Sequence, residues 1–223
     1  SSPFFGFYIG ADEKNSTMNL LQMYQGGISM GDRDYYLLDD ENSLKIRNAY
    51  KDYIRTLFSL AGYSAEEAAS SADAVLGFET EIAEISVDRN ALRDVHKNYN
   101  KMALNDFKKK YDFINWDIFF NEVGIRKSTE LNAGQIPFFE GMTKVMKSTD
   151  LETLKDYLAF KLLNSASNYL SEDFVNANFE FYGKTIQGRE ELQPLWKRSL
   201  SVVNHSLAEA FGQMYVEKYF PAS

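Results

Sequence analysis

The sequence predicts a mainly α fold: a multi-helix lobe with a small antiparallel β element at its N-terminus. Three observations carry this prediction. Apolar residues recur at three- and four-residue steps through most of the chain after residue 42. Two helix starts carry the pairing of a small polar residue with a glutamate three positions on, Ser64 with Glu67 and Thr149 with Glu152. Ahead of residue 42 the apolar residues fall instead into two short, β-prone aromatic and aliphatic runs. Residues 1–41 therefore read as a short β element with an irregular segment and 42–223 as a helical lobe, together one compact unit.

The first run, Phe4 to Gly10, and the second, Thr17 to Tyr24, are joined by the polar Ala11–Ser16 and predict an antiparallel pair. Two strands alone are marginal in water, so the pair must lean on other elements. Gln25-Gly26-Gly27 punctuates the chain, and Gly31–Tyr36 reads as a polar turn followed by aromatics. A helix is expected from Ser43 to Leu60, with Leu44, Arg47, Tyr50, Ile54, Leu57 and Phe58 on one face, stopping at Gly62. The Ser64–Glu67 box opens the next, in which Ala68, Ala72, Val75, Glu79, Ile82 and Ala83 share a face, and the two make an αα-hairpin. Asp88–Lys110 is less regular. Short helices follow at Trp116–Val123, stopped by Gly124, and around Phe139–Met146. The Thr149–Glu152 box starts Leu151–Leu170, with Leu151, Leu154, Leu158, Leu162 and Tyr169 on one side. A further helix runs from Ser171 to about Phe181, and Gly183 and Gly188 bound a loop. The last stretch, Glu190–Tyr219, repeats apolar residues from Leu192 to Tyr215 and predicts one helix of roughly 45 Å on which the shorter ones pack.

Composition excludes several functions. The chain has no cysteine, so disulfides, a thiolate nucleophile and cysteine-held metal are ruled out. A net charge of −8 argues against nucleic acid as a partner. No apolar run reaches the length of a membrane span, and Ser1 does not open a signal peptide. The start at Ser1-Ser2-Pro3 and the stop just after Phe220-Pro221 are those expected of a processed or cut chain.

No catalytic constellation is complete. His205 and Glu209 lie four residues apart on one predicted helix side, two ligands where catalytic zinc takes three, and they read as a surface or interface pair. His96 reads as a solvent-facing or capping group. Glu79 falls on an apolar face and calls for a partner, which Arg89, Arg93 or Lys101 could supply. A carboxylate-pair hydrolase built around Glu79 is a remote reading, because spacing alone cannot place two acids across a cleft. There is no G-x-S-x-G, no phosphate-binding glycine loop and no H-E-x-x-H, and Lys108-Lys109-Lys110 reads as a solvated face.

Longer motifs add what single residues do not. Asp12-Glu13-Lys14-Asn15-Ser16 and Gln25-Gly26-Gly27-Ile28-Ser29-Met30-Gly31-Asp32-Arg33-Asp34-Tyr35-Tyr36-Leu37 resemble the DxKNS … QGGLxLPDRDYYL signature of the neprilysin and endothelin-converting-enzyme family of zinc metallopeptidases. Phe181–Gly188, Pro194–Arg198 and Val203–Val216 resemble its FYGKxLxG … PRWKR … VNxxLGEALGQLYV segment, and Arg93–Asn100 its YN region. The likeness implies the non-catalytic N-terminal region of such an enzyme, a helical cap lobe that encloses the peptide cleft of a catalytic lobe absent from this chain. It implies zinc in the parent, held by H-E-x-x-H and a later glutamate, and peptides as its substrates, cleaved before hydrophobic residues. None of those ligands, nor the Asn-Ala-aromatic substrate motif, is present, and Asn176-Ala177-Asn178 does not match that motif's context. The covered chain is thus expected to hold no metal or cofactor and to be inactive alone, with an intramolecular catalytic lobe as its partner. Absence of cysteine by itself fits cytoplasm and periplasm alike, but because the animal members of the resembling family are disulfide-rich ectodomains, the resemblance implies a bacterial parent, exported to the periplasm or membrane-anchored. The residues carried over are structural: Lys14, Asn15, Gly26, Gly27, Asp32, Arg33, Asp34, Tyr35, Gly183, Lys184, Trp196 and Arg198. Arg33 and Asp34 are expected to fix the glycine turn, and the last four to position the final helix. Met30-Gly31 in place of Leu-Pro is expected to loosen the turn. The alternative reading is a stand-alone helical binding or scaffold module.

Overall fold

The β element grows by two strands that the sequence hides. In the computed structural model, which describes residues 2–220, β1 (Phe5–Asp12) and β2 (Asn15–Gln25) form the expected hairpin. Ser1 and Pro221, where the chain reads as cut, lie outside the described residues. β3 (Lys101–Ala103) and β4 (Glu130–Ala133) complete a sheet of order β1-β2-β4-β3. β4 lies parallel to β2, Leu21 opposite Leu131 and Met23 opposite Ala133, and antiparallel to β3. At three and four residues the two added strands are too short to show an alternation of their own. β4 pairs because β2, buried at Leu20–Met23, offers it an edge, and β3 then adds to β4.

Helices make the rest: α1 (Asp34–Leu37), α2 (Glu41–Leu60), α3 (Ala65–Ile85), α4 (Arg89–Leu92), α5 (Leu104–Lys110), α6 (Trp116–Glu122), α7 (Ile136–Ser148), α8 (Leu151–Ala166), α9 (Glu172–Asn178), α10 (Leu195–Ser206) and α11 (Ala208–Tyr219). α2 starts earlier than expected because the Asp40 carboxylate accepts from the Asn42 and Ser43 amides. Its buried face holds Ile46 and Tyr53 beside Tyr50, Ile54, Leu57 and Phe58, whereas Leu44 points outward. The Ser64–Glu67 capping box forms on α3, and all six residues placed on its face are buried. α2 and α3 pack as a hairpin, with α7 and α8 laid against α3.

Three expectations need correction. The cap of α8 is Asp150, whose carboxylate accepts from the Thr153 amide at 2.9 Å; Thr149 instead ends α7 by donating to the Val145 carbonyl. The inner face of α8 is Tyr157 and Phe160, and Leu151, Leu158 and Leu162 face outward; the helix ends at Ala166, and Tyr169, in the 3-10 turn that follows, is exposed too. Both sides of α8 are apolar, and the aromatic side wins because it fills more of the core and the Tyr157 hydroxyl finds a carbonyl there. The final helix does not organise the body. It is broken at Leu207 into α10 and α11, and neither half contains a buried residue. Between α9 and these helices, Phe179–Ile186 winds as a π-helix, with Gly183 buried where a methyl group would run into the Phe179 ring.

The core is aromatic. Phe5, Phe107, Phe113, Phe119 and Phe120 gather round Trp116 at ring separations of 5.1–6.0 Å, joining the sheet to α5 and α6. A second aromatic group lies at α2, where Tyr53 stacks on Phe181 at 5.2 Å and Tyr50 meets Phe160 edge-on.

Candidate functional site

The glycine turn after β2 is held from three sides. The Gln25 side chain exchanges two hydrogen bonds with the Val87 backbone, at 3.0 and 2.9 Å, while the Gln25 backbone N–H donates to Gln135 Oε1 at 2.8 Å. The Gly27 carbonyl accepts from the Tyr157 hydroxyl at 2.7 Å and from Lys161 Nζ at 3.0 Å. Gly27 has φ +96°, and a Cβ there would sit 3.0 Å from Ile82 Cδ1 and 3.2 Å from the Phe4 carbonyl oxygen, so the turn requires glycine.

Below the turn lies Glu79, with no exposed surface. Its Oε1 accepts from Ser29 Oγ at 2.6 Å, and its Oε2 from the Tyr50 hydroxyl at 2.7 Å, the Tyr36 hydroxyl at 2.5 Å and the Ser29 amide at 3.2 Å. Lys161 Nζ lies 3.9 Å away and donates to Ser29 Oγ at 3.0 Å. The cation beside Glu79 is therefore Lys161, not one of the three basic residues expected: Arg89 pairs with Asp32, and Lys101 with Asp12 and Glu130. Glu79 sits on α3 where the helical period turns it inward; α1, α2 and Ser29 after the glycine turn bring the four donors, and α8 brings the Lys161 cation. A carboxylate enclosed by four donors and closed to solvent has no route to a substrate, which removes the carboxylate-pair hydrolase. The sequence did hold one signal for the partner, a single lysine in the apolar run Leu158-Ala159-Phe160-Lys161-Leu162-Leu163.

A second anchor ties the hairpin to the YN segment. Asp12, nearly fully buried, accepts from the Lys14 amide at 2.9 Å, the Tyr99 hydroxyl at 2.8 Å and Lys101 Nζ at 3.1 Å. Lys14 lies over the Tyr99 ring at 4.4 Å, and the Asn15 side chain accepts from Thr17 within the turn. Side-chain amides then link these strands to α7. Asn132 donates to Gln22 at 2.9 Å and to the Asn98 carbonyl at 3.0 Å, and Gln135 donates to Asn98 at 3.0 Å. The three motif segments thus meet in one polar network, and what it does chemically is fix backbone.

The remaining sequence-selected residues scatter. Gly26 crosses the Phe5 backbone, where its Cβ would come within 3.0 Å. The Arg33 guanidinium donates to the Ser86 carbonyl at the α3 terminus, and the Asp34 backbone amide donates to the Asp32 side chain within the local turn, so neither contact is to the glycines. Tyr35 packs on the core and gives its carbonyl to Arg47. Gly31 has φ +82°, a conformation closed to proline, whose ring fixes φ near about −65°. The turn has therefore changed shape and not simply loosened. Lys184 pairs with Glu180 at 2.6 Å, Arg198 donates to the Gln193 carbonyl at 3.0 Å, and Trp196 is 63% exposed. His205 and Glu209 fall on opposite sides of the break at Leu207, so the helical spacing that put them on one side is lost. Among the described residues no three His, Asp or Glu side chains gather as a metal would need, and the donor set does not fit catalytic zinc.

Burial pushes the hydroxyls of Tyr36, Tyr50 and Tyr157 well above the ordinary tyrosine range, and the Glu79 charge adds to it; burial raises Tyr182 as well. Burial also pulls Lys161 down, with Glu79 opposing. Below a pH of about 10 these tyrosines are neutral in folded and unfolded chain alike, so they leave stability flat. Above it only the unfolded chain releases their protons, and each costs the fold about 1.4 kcal/mol per pH unit. Lys161 acts in the opposite sense, one lysine against four tyrosines. A cooperative alkaline collapse is expected, with tyrosinate absorbance and far-UV circular dichroism changing together. Tyrosinate appearing gradually with the helices intact would contradict this.

A profile of peptidase family M13, N-terminal region, matches residues 1–223. The chain belongs to peptidase family M13. Endothelin-converting enzyme 1 of Homo sapiens is 31% identical over 225 residues, which cover 99% of this chain and 29% of that protein. The endothelin-converting enzyme homolog of Locusta migratoria is 27% identical, over 97% of this chain and 31% of its own length. The M13 fold here superposes on Mycobacterium tuberculosis zinc metalloprotease Zmp1 in its open state with a TM-score of 0.90 and 29% identity, covering 97% of this chain and 34% of that one. PepO of Lactobacillus rhamnosis shares the fold at a TM-score of 0.80 and 17% identity. This M13 chain spans about three tenths of the length of the curated relatives it matches. No described helix is long and apolar enough to cross a membrane.

Proposed function

We propose that this chain is the non-catalytic helical cap of a neprilysin-like zinc metalloendopeptidase, enclosing the peptide cleft of a catalytic lobe carried elsewhere in the same protein. The observation that carries the reading is the M13 N-terminal match along the whole chain, in a fold whose polar clusters hold backbone and, among the described residues, gather no set of metal ligands. Zinc belongs, in this reading, to the other lobe, and peptides are the substrate class. The cap contributes sterically: it limits entry and keeps water from the cleft, where charges then act more strongly. An exported protein of a bacterium, periplasmic or membrane-anchored, suits the cysteine-free sequence.

The purified chain, supplied with zinc and a quenched fluorescent peptide, is expected to give no hydrolysis above buffer. Hydrolysis that co-purifies with the chain through successive columns would overturn the reading. So would a gene whose reading frame carries no H-E-x-x-H, which would leave the stand-alone binding module.

A further inference from the structure

Gly183 and Arg198 have no part in the cap reading, yet both line one cleft of about 400 Å³ between the π-helix and the segment that leads into α10. The π-helix is itself unusual. Eight residues, Phe179–Ile186, are wound this way, and such windings are rare and concentrate at functional sites. They put Phe179, Tyr182 and Gly183 on the cleft wall. The chain then folds back: Gly188 has φ +66°, and the Gly188 and Arg189 amides donate to the Lys184 and Gly183 carbonyls, both at 2.9 Å. That return brings Arg189 to the same cleft.

One part of the wall is fixed. The Tyr53 hydroxyl donates to Asn164 Oδ1 at 2.7 Å and accepts from Asn178 Nδ2 at 3.1 Å, and Asn164 Nδ2 donates to the Tyr182 hydroxyl at 3.3 Å. The other part keeps its donors. Among the described residues Arg189 bonds only through its backbone, and Arg198 uses only its Nε, on the Gln193 carbonyl at 3.0 Å. Gln187 and Gln193 add side-chain amides, and no acidic side chain lines the cleft. In a chain of net charge −8, two guanidiniums thus share a cleft without a carboxylate. Guanidinium forks match carboxylate and phosphate oxygens, and side-chain amides both donate to hydroxyls and accept from them. The volume suits a small organic molecule and exceeds what a bare oxyanion fills.

We infer that this cleft binds a sugar-sized organic anion, with Arg189 and Arg198 holding its phosphate or carboxylate and the side-chain amides its hydroxyls. The inference does not depend on the cap reading. The probes are glucose 6-phosphate, gluconate, inorganic phosphate and glucose, titrated calorimetrically into the full-length gene product and into the 223-residue chain. One of the two organic anions is expected to saturate a single site in both proteins, about tenfold or more tighter than inorganic phosphate or glucose. Glucose 6-phosphate in the lead identifies phosphate as the group held, and gluconate identifies carboxylate. R189Q and R198Q are each expected to weaken that binding about tenfold or more with circular dichroism unchanged, and R126Q, outside the cleft, to leave it unaltered. Arg189 has no side-chain contact to lose, so R189Q reports on the ligand even where R198Q disturbs the loop. Saturable binding by neither organic anion overturns the inference, as does binding that survives both cleft substitutions or falls equally with R126Q. Inorganic phosphate as tight as the organic anions overturns recognition of the hydroxylated body. Binding by the 223-residue chain that the full-length product lacks gives the arginines to polypeptide outside this chain and overturns the ligand site.

Discussion

Replacing Glu79 by leucine is expected to destabilise the chain by about 3–5 kcal/mol, the cost typical of removing one partner from a buried charged cluster. The hydroxyls of Tyr36 and Tyr50 would lose their acceptor inside a closed core, and Lys161 would lose the charge that compensates its burial. Stranded buried donors cost about 1–3 kcal/mol each, so the loss is a large share of a stability of about 5–15 kcal/mol. Glu79→Gln keeps the volume but turns an NH₂ toward groups that already donate, and about 2 kcal/mol is expected. Lys161→Met should be milder, because the carboxylate keeps its four hydrogen bonds. Urea unfolding followed by tryptophan fluorescence gives the order directly. A Glu79→Leu chain within 1 kcal/mol of the parent would sink the idea that this carboxylate organises the turn.

Gly27→Ala is expected to cost about 2–4 kcal/mol, and Gly31→Ala only about 1 kcal/mol, although both glycines have positive φ. The difference is space. A Cβ at Gly27 meets two Ile82 carbons within 3.1 Å and the Phe4 carbonyl oxygen, whereas nothing stands within 4 Å of one at Gly31. Moving Gly27 also shifts the carbonyl that Tyr157 and Lys161 hold. Urea midpoints of the two variants, compared at equal slope, check this, and equal losses would show that backbone strain alone sets the cost.

Parts of the candidate site were legible from the residues. The motif segments named the hairpin turn and the glycine turn, and the period of α3 marked Glu79 as an inward acid in need of a partner. The identity of that partner was not legible, because Lys161 lies eighty-two positions away on an element whose orientation is set by packing. Asp12 and its amide network were hidden for the same reason, since β4 carries no signal until β2 is there to pair with it, and β3 none until β4 is in place.

By itself the sequence determined the helical class, the Ser64–Glu67 cap, the buried face of α3 and the β1–β2 hairpin. In each, the decisive contacts lie within a few residues, or one apolar face has no rival. Tertiary structure decided which side of α8 turned inward, what neutralised Glu79, and that the last helices stayed outside the core. Periodicity reports that an apolar face exists. Whether that face is buried depends on surface supplied from a distance, and for α10 and α11 the described residues supply none.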